Sequence, residues 1–203
     1  GTQGTQNPRP TPNLTPSLKP IENVTKSLNV SLVHTFDTFR KVPGGEAIVK
    51  AFKSVIAGPR FMLLIYGGVG NGKTHLLEAS AIELYKQGKF ARVMSFSRML
   101  STLKSSISNP EMSYEEILAN YCYGERLIID DIGAAGSDTT FSDKILEEIV
   151  CARYGRQLLT IMSTNKDIKG LPERVSSRLQ DKSTSFLIIN EAPDYRPKLE
   201  GAK

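Results

Sequence analysis

One stretch constrains this chain more than any other: Gly67-Gly68-Val69-Gly70-Asn71-Gly72-Lys73-Thr74. It satisfies the spacing G-x-x-x-x-G-K-[ST] at every fixed position. Phe61-Met62-Leu63-Leu64-Ile65-Tyr66 runs straight into it, the pattern of a parallel strand buried on both faces. Leu76, Leu77, Ala79, Ala81 and Leu84 follow at helical spacing, and Gly88 suits the position just past the helix end. Strand, glycine-rich turn and helix in that order make a cradle for phosphate. The glycines let successive backbone N–H groups face one concave spot, and the helix beginning near Gly72 aims its positive end at the same point. Lys73 adds a charge that reaches the β- and γ-phosphates, and the Thr74 hydroxyl is a ligand for Mg²⁺. The alternative is a glycine-rich turn with no ligand. Strand, loop, Lys-Thr pair and helix together weigh against it.

The 203 residues suffice for one α/β core and a small appendage. With 39% hydrophobic and 23% charged residues, the chain reads as a soluble domain diluted by a polar tail. A formal net charge of +5 permits nucleic-acid binding without requiring it. Cys122 and Cys151 both fall in predicted helices among apolar residues, as buried thiols of a reducing compartment would. There is no C-x-x-C pair to build a zinc site. No apolar run approaches the roughly 20 residues needed to span a bilayer, and the first residues lack a signal-peptide pattern. The expected location is the cytoplasm, with no membrane partner.

Residues 1–34 read as a flexible linker: five of the eleven prolines lie at Pro8, Pro10, Pro12, Pro16 and Pro20, without apolar periodicity. Residues 35–203 form the expected domain. Phe36 and Phe39 open it, with core packing the expected role and contact with a base the alternative. Ala47, Ile48, Ala51, Phe52, Val55 and Ile56 form a helical stripe ended by Gly58-Pro59. A second strand is expected over residues 90–96, then a helix through Met99, Leu100, Leu103 and Ile107, and another opened by the capping box Ser113-Tyr114-Glu115-Glu116. Arg126-Leu127-Ile128-Ile129-Asp130-Asp131 is a strand ending in adjacent acids. Strand residues alternate faces, so the two carboxylates take different parts. Asp130 would orient Mg²⁺ and Asp131 would polarise a water attacking the γ-phosphate. A helix from Asp138 to Tyr154 precedes a strand, Leu158 to Asn165. Asn165 is either a turn residue or a contact to the γ-phosphate. A short helix after Leu171-Pro172 carries Arg174 and Arg178 on one face, either solvated or offered to a neighbouring subunit's nucleotide. Ser185 to Asn190 is the last strand. Five strands alternating with helices predict an α/β fold, a parallel sheet covered on both faces. Only 13 residues follow Asn190, too few for a separate helical lid.

Several motifs now stand in order: residues 67–76 (GGVGNGKTHL), residues 127–133 (LIIDDIG), Arg153-Tyr154, Ser163-Thr164-Asn165, residues 173–179 (ERVSSRL) and Asp194-Tyr195-Arg196. Together they resemble the AAA+ ATPase domain of the DnaC/DnaI family of bacterial replicative helicase loaders, and its sister, the IstB family of transposition helper ATPases. The resemblance covers about residues 35–197. It implies a P-loop NTPase of the AAA+ type, a three-layer sandwich on a five-stranded parallel sheet with the lid reduced or absent. It implies ATP and Mg²⁺ as cofactors, held by Gly67, Gly68, Val69, Gly70, Asn71, Gly72, Lys73, Thr74 and His75, with Thr74 and Asp130 at the metal. Asp130 and Asp131 become the Walker B pair, with Asp131 where many AAA+ proteins have Glu; hydrolysis is accordingly expected to be slow and stimulated by DNA or a partner. Asn165 becomes sensor 1, and Arg178 the arginine finger, ahead of Arg174. Arg98 and Lys104 fall in a segment implicated in single-stranded DNA contact. The implied partners are a hexameric DnaB-type replicative helicase, single-stranded DNA and further copies of the chain in the presence of ATP. The alternative is an IstB-like helper of a DNA transposase. A small-molecule kinase would leave Asn165 and the arginine pair unexplained. One departure stands out: family loaders grip the helicase with an N-terminal domain, and residues 1–34 offer only a linker.

Overall fold

The structure, a computed structural model, describes residues 19–39, 43–109, 111, 113–133 and 139–194. A short 3-10 turn and α1 (Thr25–Leu28) lead into α2 (Phe36–Phe39), α3 (Gly45–Ala57), β1 (Met62–Gly67) and α4 (Lys73–Lys86). Then come β2 (Val93–Ser95), α5 (Phe96–Ile107), α6 (Tyr114–Tyr123), β3 (Arg126–Asp130) and α7 (Thr139–Gly155). β4 (Leu159–Thr164), α8 (Glu173–Leu179) and β5 (Ser185–Asn190) complete the described chain. The strands form one parallel sheet in the order β2-β3-β4-β1-β5.

β1 shows why its sequence carries no alternation. Met62 and Leu64 pack on one face with residues of α5, α6, α7 and α8, while Leu63 and Ile65 pack on the other with α2, α3 and α4. Both faces are covered, so every position must be apolar. All parallel strands point the same way, and their carboxyl ends gather the loops that build a ligand site.

Two expectations differ from the structure. The second strand is shorter than residues 90–96. Ser95 Oγ accepts from Arg98 N at 3.3 Å and caps α5, so Phe96 starts the helix, and Phe90 stays exposed. The packed chain also begins before residue 35. Leu28 is wholly buried, Asn29 Nδ2 donates to Val93 O at 3.0 Å, and Ser31 N donates to Glu78 Oε2 at 2.6 Å. One buried leucine and two polar anchors leave no periodic stripe for a sequence reading to find. Residues 1–18, Asp138, Tyr195 and Arg196 lie outside the described residues. Cys122 is buried and Cys151 half-buried, both unbridged. Burial pushes the Cys122 thiol up to about 11.

Candidate functional site

β1 ends at Gly67, whose φ of +145° opens the loop. A Cβ there would run into the Asn190 carbonyl, so the loop and the end of β5 lie in backbone contact. The two asparagines lock that contact. Asn71 Nδ2 donates to Asn190 O, and Asn190 Nδ2 donates to Asn71 O, both at 2.7 Å. Gly72, at φ +87°, starts α4 beneath Phe39, whose ring stands 2.8 Å from where a Cβ would be. Both Phe36 and Phe39 are buried, the core role expected of them. Leu76 N donates to Gly72 O, closing the first helical turn. The amides ahead of it have no intrahelical carbonyl to reach, and their residues line the cleft.

Lys73 is buried within the loop. Its Nζ donates to Gly67 O at 3.0 Å, Gly68 O at 2.5 Å and Asn71 Oδ1 at 3.1 Å. The loop's own oxygens thus hold its lysine in place. Thr74 Oγ1, one residue on, donates to Asp130 Oδ2 at 2.8 Å. β3 and the loop thus meet at a hydroxyl and a carboxylate. The other carboxylate oxygen, Asp130 Oδ1, accepts from Ser163 Oγ on β4.

Asp131 takes a different direction, as its place beside Asp130 requires. Its φ is +58°, a left-handed setting that is uncommon for a residue with a Cβ. Asn165 Nδ2 donates to Asp131 Oδ1 at 2.9 Å. Burial chiefly, and next the charge of Asp130, push the Asp131 carboxyl above its ordinary pKa, against the pull of Lys73. A carboxylate made more basic and held by an amide is suited to accept a proton.

His75 faces the same space. Its Nε2–H donates to Thr35 O at 2.8 Å, and its ring stacks on His34 at 4.6 Å between centroids. His34 Nδ1 lies 2.9 Å from Glu78 Oε2. Burial lowers the His75 pKa, with His34 adding to it and the Thr35 carbonyl opposing. The cleft of about 500 Å³ is lined by Val69, Lys73, Thr74, Asp130, Asp131 and Asn165 among others, including His34 and Ser163. That volume lies in the range of cofactor pockets, roughly 300–1,000 Å³.

The fold thus brings the loop, Thr74, His75, Asp130, Asp131 and Asn165 into one cleft. Arg178 is not there. Its guanidinium lies over the Tyr154 ring, 5.5 Å from the centroid, and Nη1 donates to Arg174 O at 2.7 Å. Arg98 and Lys104 are both on α5; Arg98 is exposed, and Lys104 sits over the Phe141 ring at 5.0 Å. Sequence reasoning missed His34, Ser163 and Asn190 as parts of the site. His34 lay in the supposed linker, and Ser163 and Asn190 belong to strands whose apolar runs hid the role of their last polar residues.

The residues fit the group that the loop implies. Thr74 Oγ1 and Asp130 Oδ2 are hard oxygen donors suited to Mg²⁺. Among the described residues no three His, Cys, Asp or Glu side chains form a metal cluster. Further ligands to such an ion would come from phosphate oxygens and water. No described helix is long and apolar enough to cross a membrane.

Comparison with known proteins agrees with this geometry. The profile of the bacterial DnaA ATPase domain matches residues 30–184. The replicative helicase loader DnaC of Escherichia coli K12 is 27% identical over 138 residues, which is 66% of this chain and 56% of that protein. The chain therefore spans about half the length of this curated relative. A crystal structure of the DnaC helicase loader superposes with a TM-score of 0.67 at 20% identity, over 79% of this chain and 98% of that one. A replication initiator DnaA bound to AMPPCP and single-stranded DNA superposes at 0.69 and 20% identity, over 81% and 51%. At that identity the likeness is one of fold: a P-loop domain of the AAA+ type on a parallel sheet.

Proposed function

The chain belongs to the bacterial DnaA ATPase-domain family, with a DnaC-like AAA+ domain, and on that premise we propose that it binds and hydrolyses ATP as a replicative helicase loader. The observation that carries the reading is the convergence of Thr74, Asp130, Asp131 and Asn165 at the mouth of the phosphate loop. The loop amides and Lys73 hold the phosphates, with Lys73 exchanging its carbonyl partners for phosphate oxygens. Thr74 and Asp130 hold Mg²⁺, which when bound neutralises charge developing on the transferred phosphoryl group. Asp131 takes the proton of the attacking water, and Asn165 keeps Asp131 oriented. The carboxylate of Asp131 is one methylene shorter than glutamate, so intrinsic turnover is slow.

The likeness to helicase loaders supports a wider role. Arg178, absent from its own cleft, completes the site of a neighbouring copy in an ATP-dependent assembly. Arg98 contributes to single-stranded DNA binding, and the assembled domain helps to place a DnaB-type hexameric helicase. That work belongs in the cytoplasm. DNA affinity falls as salt rises if phosphate contacts dominate.

ATP hydrolysis and sedimentation of wild type and Arg178→Ala, with and without single-stranded DNA, test the reading. DNA-stimulated hydrolysis that Arg178→Ala loses while still binding ATP supports a site shared between copies. Equal hydrolysis by both proteins as monomers removes Arg178 from the mechanism. Capture of a transposase in place of a replicative helicase would replace the loader role with that of a transposition helper.

A further inference from the structure

We infer that Ser163 is a positioning residue whose single hydroxyl fixes both acids of the site, setting the Asp130 carboxylate for Mg²⁺ and the Asp131 backbone for its role as base. The inference rests on the proposed reading of Asp130 as a residue that holds Mg²⁺.

Ser163 lies near the carboxyl end of β4 and is wholly buried. Its Oγ donates to Asp130 Oδ1 and accepts from Asp131 N at 2.9 Å. The directions are forced. A carboxylate only accepts, an amide only donates, and a serine hydroxyl has one proton and two lone pairs. The backbone of the same residue adds a third tie, since Ile132 N donates to Ser163 O at 2.8 Å.

The consequences differ for the two acids. Asp130 is held at both oxygens, Oδ1 by Ser163 and Oδ2 by Thr74. Its carboxylate plane is therefore set before a cation binds. Asp131 sits at φ +58°, a setting disfavoured for residues with a Cβ. The Ser163 hydroxyl accepts its amide there and supports the turn that points its side chain at Asn165. Packing alone would not require a hydroxyl at this position, since alanine would fill the strand.

The test compares wild type with Ser163→Ala by fluorescent ADP binding, titrated with Mg²⁺ well below the melting temperature. Removing an outer partner of a metal-holding carboxylate is expected to raise the Mg²⁺ concentration for half-maximal tightening about tenfold, with Mg²⁺-free ADP affinity within about twofold of wild type. Ser163→Cys keeps the side-chain shape with a larger end atom and serves if the alanine variant does not fold; sulfur is a weak donor, so the Mg²⁺ defect persists. A wild-type Mg²⁺ midpoint in a folded variant, even one that melts lower, overturns the inference and leaves Ser163 a packing residue. Absence of Mg²⁺-dependent binding in wild type overturns the site reading itself, and this inference with it.

Discussion

The two ends of β4 carry polar clusters of opposite kinds. At the amino end, Arg153 of α7 is fully buried. It donates to Thr160 Oγ1, Tyr121 O, Gly124 O and Leu159 O at 2.7–3.0 Å. Burial lowers its guanidinium to about 10, which still leaves it charged at neutral pH. Four of its five N–H donors are engaged inside the chain, and they staple α6, α7 and β4. At the carboxyl end, Ser163 and Asn165 meet Asp130 and Asp131. These carboxylates keep lone pairs directed at a cleft, beside a loop of left-handed glycines. A buried cluster whose donors are mostly engaged within the chain stabilises the fold. A cluster with acceptor capacity left over at a concave surface awaits a ligand. Charge alone does not separate them; burial and the remaining bonding capacity do.

The largest effect that would break this contrast is expected at Arg153. Arg153→Met leaves three carbonyls and a hydroxyl without their donor. Urea denaturation should show a loss of about 3–5 kcal/mol, the tail reserved for broken buried networks. A loss under about 1 kcal/mol would mean that the staple is dispensable.

At the other end, Asp131→Asn should cut hydrolysis by about 100-fold or more in a turnover assay. Its stability should move the other way. The Asp131 pKa is raised, so the charged form is disfavoured in the fold. That penalty is absent below the unfolded value of about 3.9 and complete above the folded one. The asparagine variant, tolerant of a left-handed φ, should melt no lower than wild type at neutral pH, with any advantage fading as pH falls toward about 4. A variant both inactive and clearly less stable would place Asp131 among the structural groups.

Asn71→Ala sharpens the comparison, because Asn71 belongs to both kinds. It ties the loop to β5 and accepts from Lys73. The expected loss is about 1–3 kcal/mol by thermal or urea melting, together with weaker nucleotide binding. The smallest effect is expected at His75. Burial lowers the pKa of its imidazole below the ordinary value, whereas the unfolded chain protonates near about 6.5. Stability from His75 is therefore present above that pH and fades below it. Melting curves of His75→Gln should fall less than those of wild type as the solution is acidified below about 6.5. Parallel curves would refute it.

The phosphate loop and its flanking strand and helix could be read from residues 61–88, because the chemistry is local: glycines, a lysine and a threonine at fixed spacing. The paired acids could be read for the same reason. β2 was misjudged because Ser95 ends the strand by capping a helix, a choice that propensity does not encode. His34 escaped notice because its partners, His75 and Glu78, lie on a helix far along the chain. Arg153 stood out as part of a motif, yet nothing in the sequence distinguished a staple from a ligand contact.

By itself, then, the sequence determined the kind of molecule: a parallel sheet covered on both faces, a glycine-rich loop between strand and helix, and two acids at the end of a strand. Those features follow from short-range spacing and from the periodicity of burial. The tertiary structure alone decided who serves whom. It set Ser163 against both acids, Asn190 against the loop, Arg153 among carbonyls, and Arg178 away from its own cleft. Such pairings are made across the sheet between residues distant in the chain, and hydrogen-bond direction and saturation exist only once those strands are side by side.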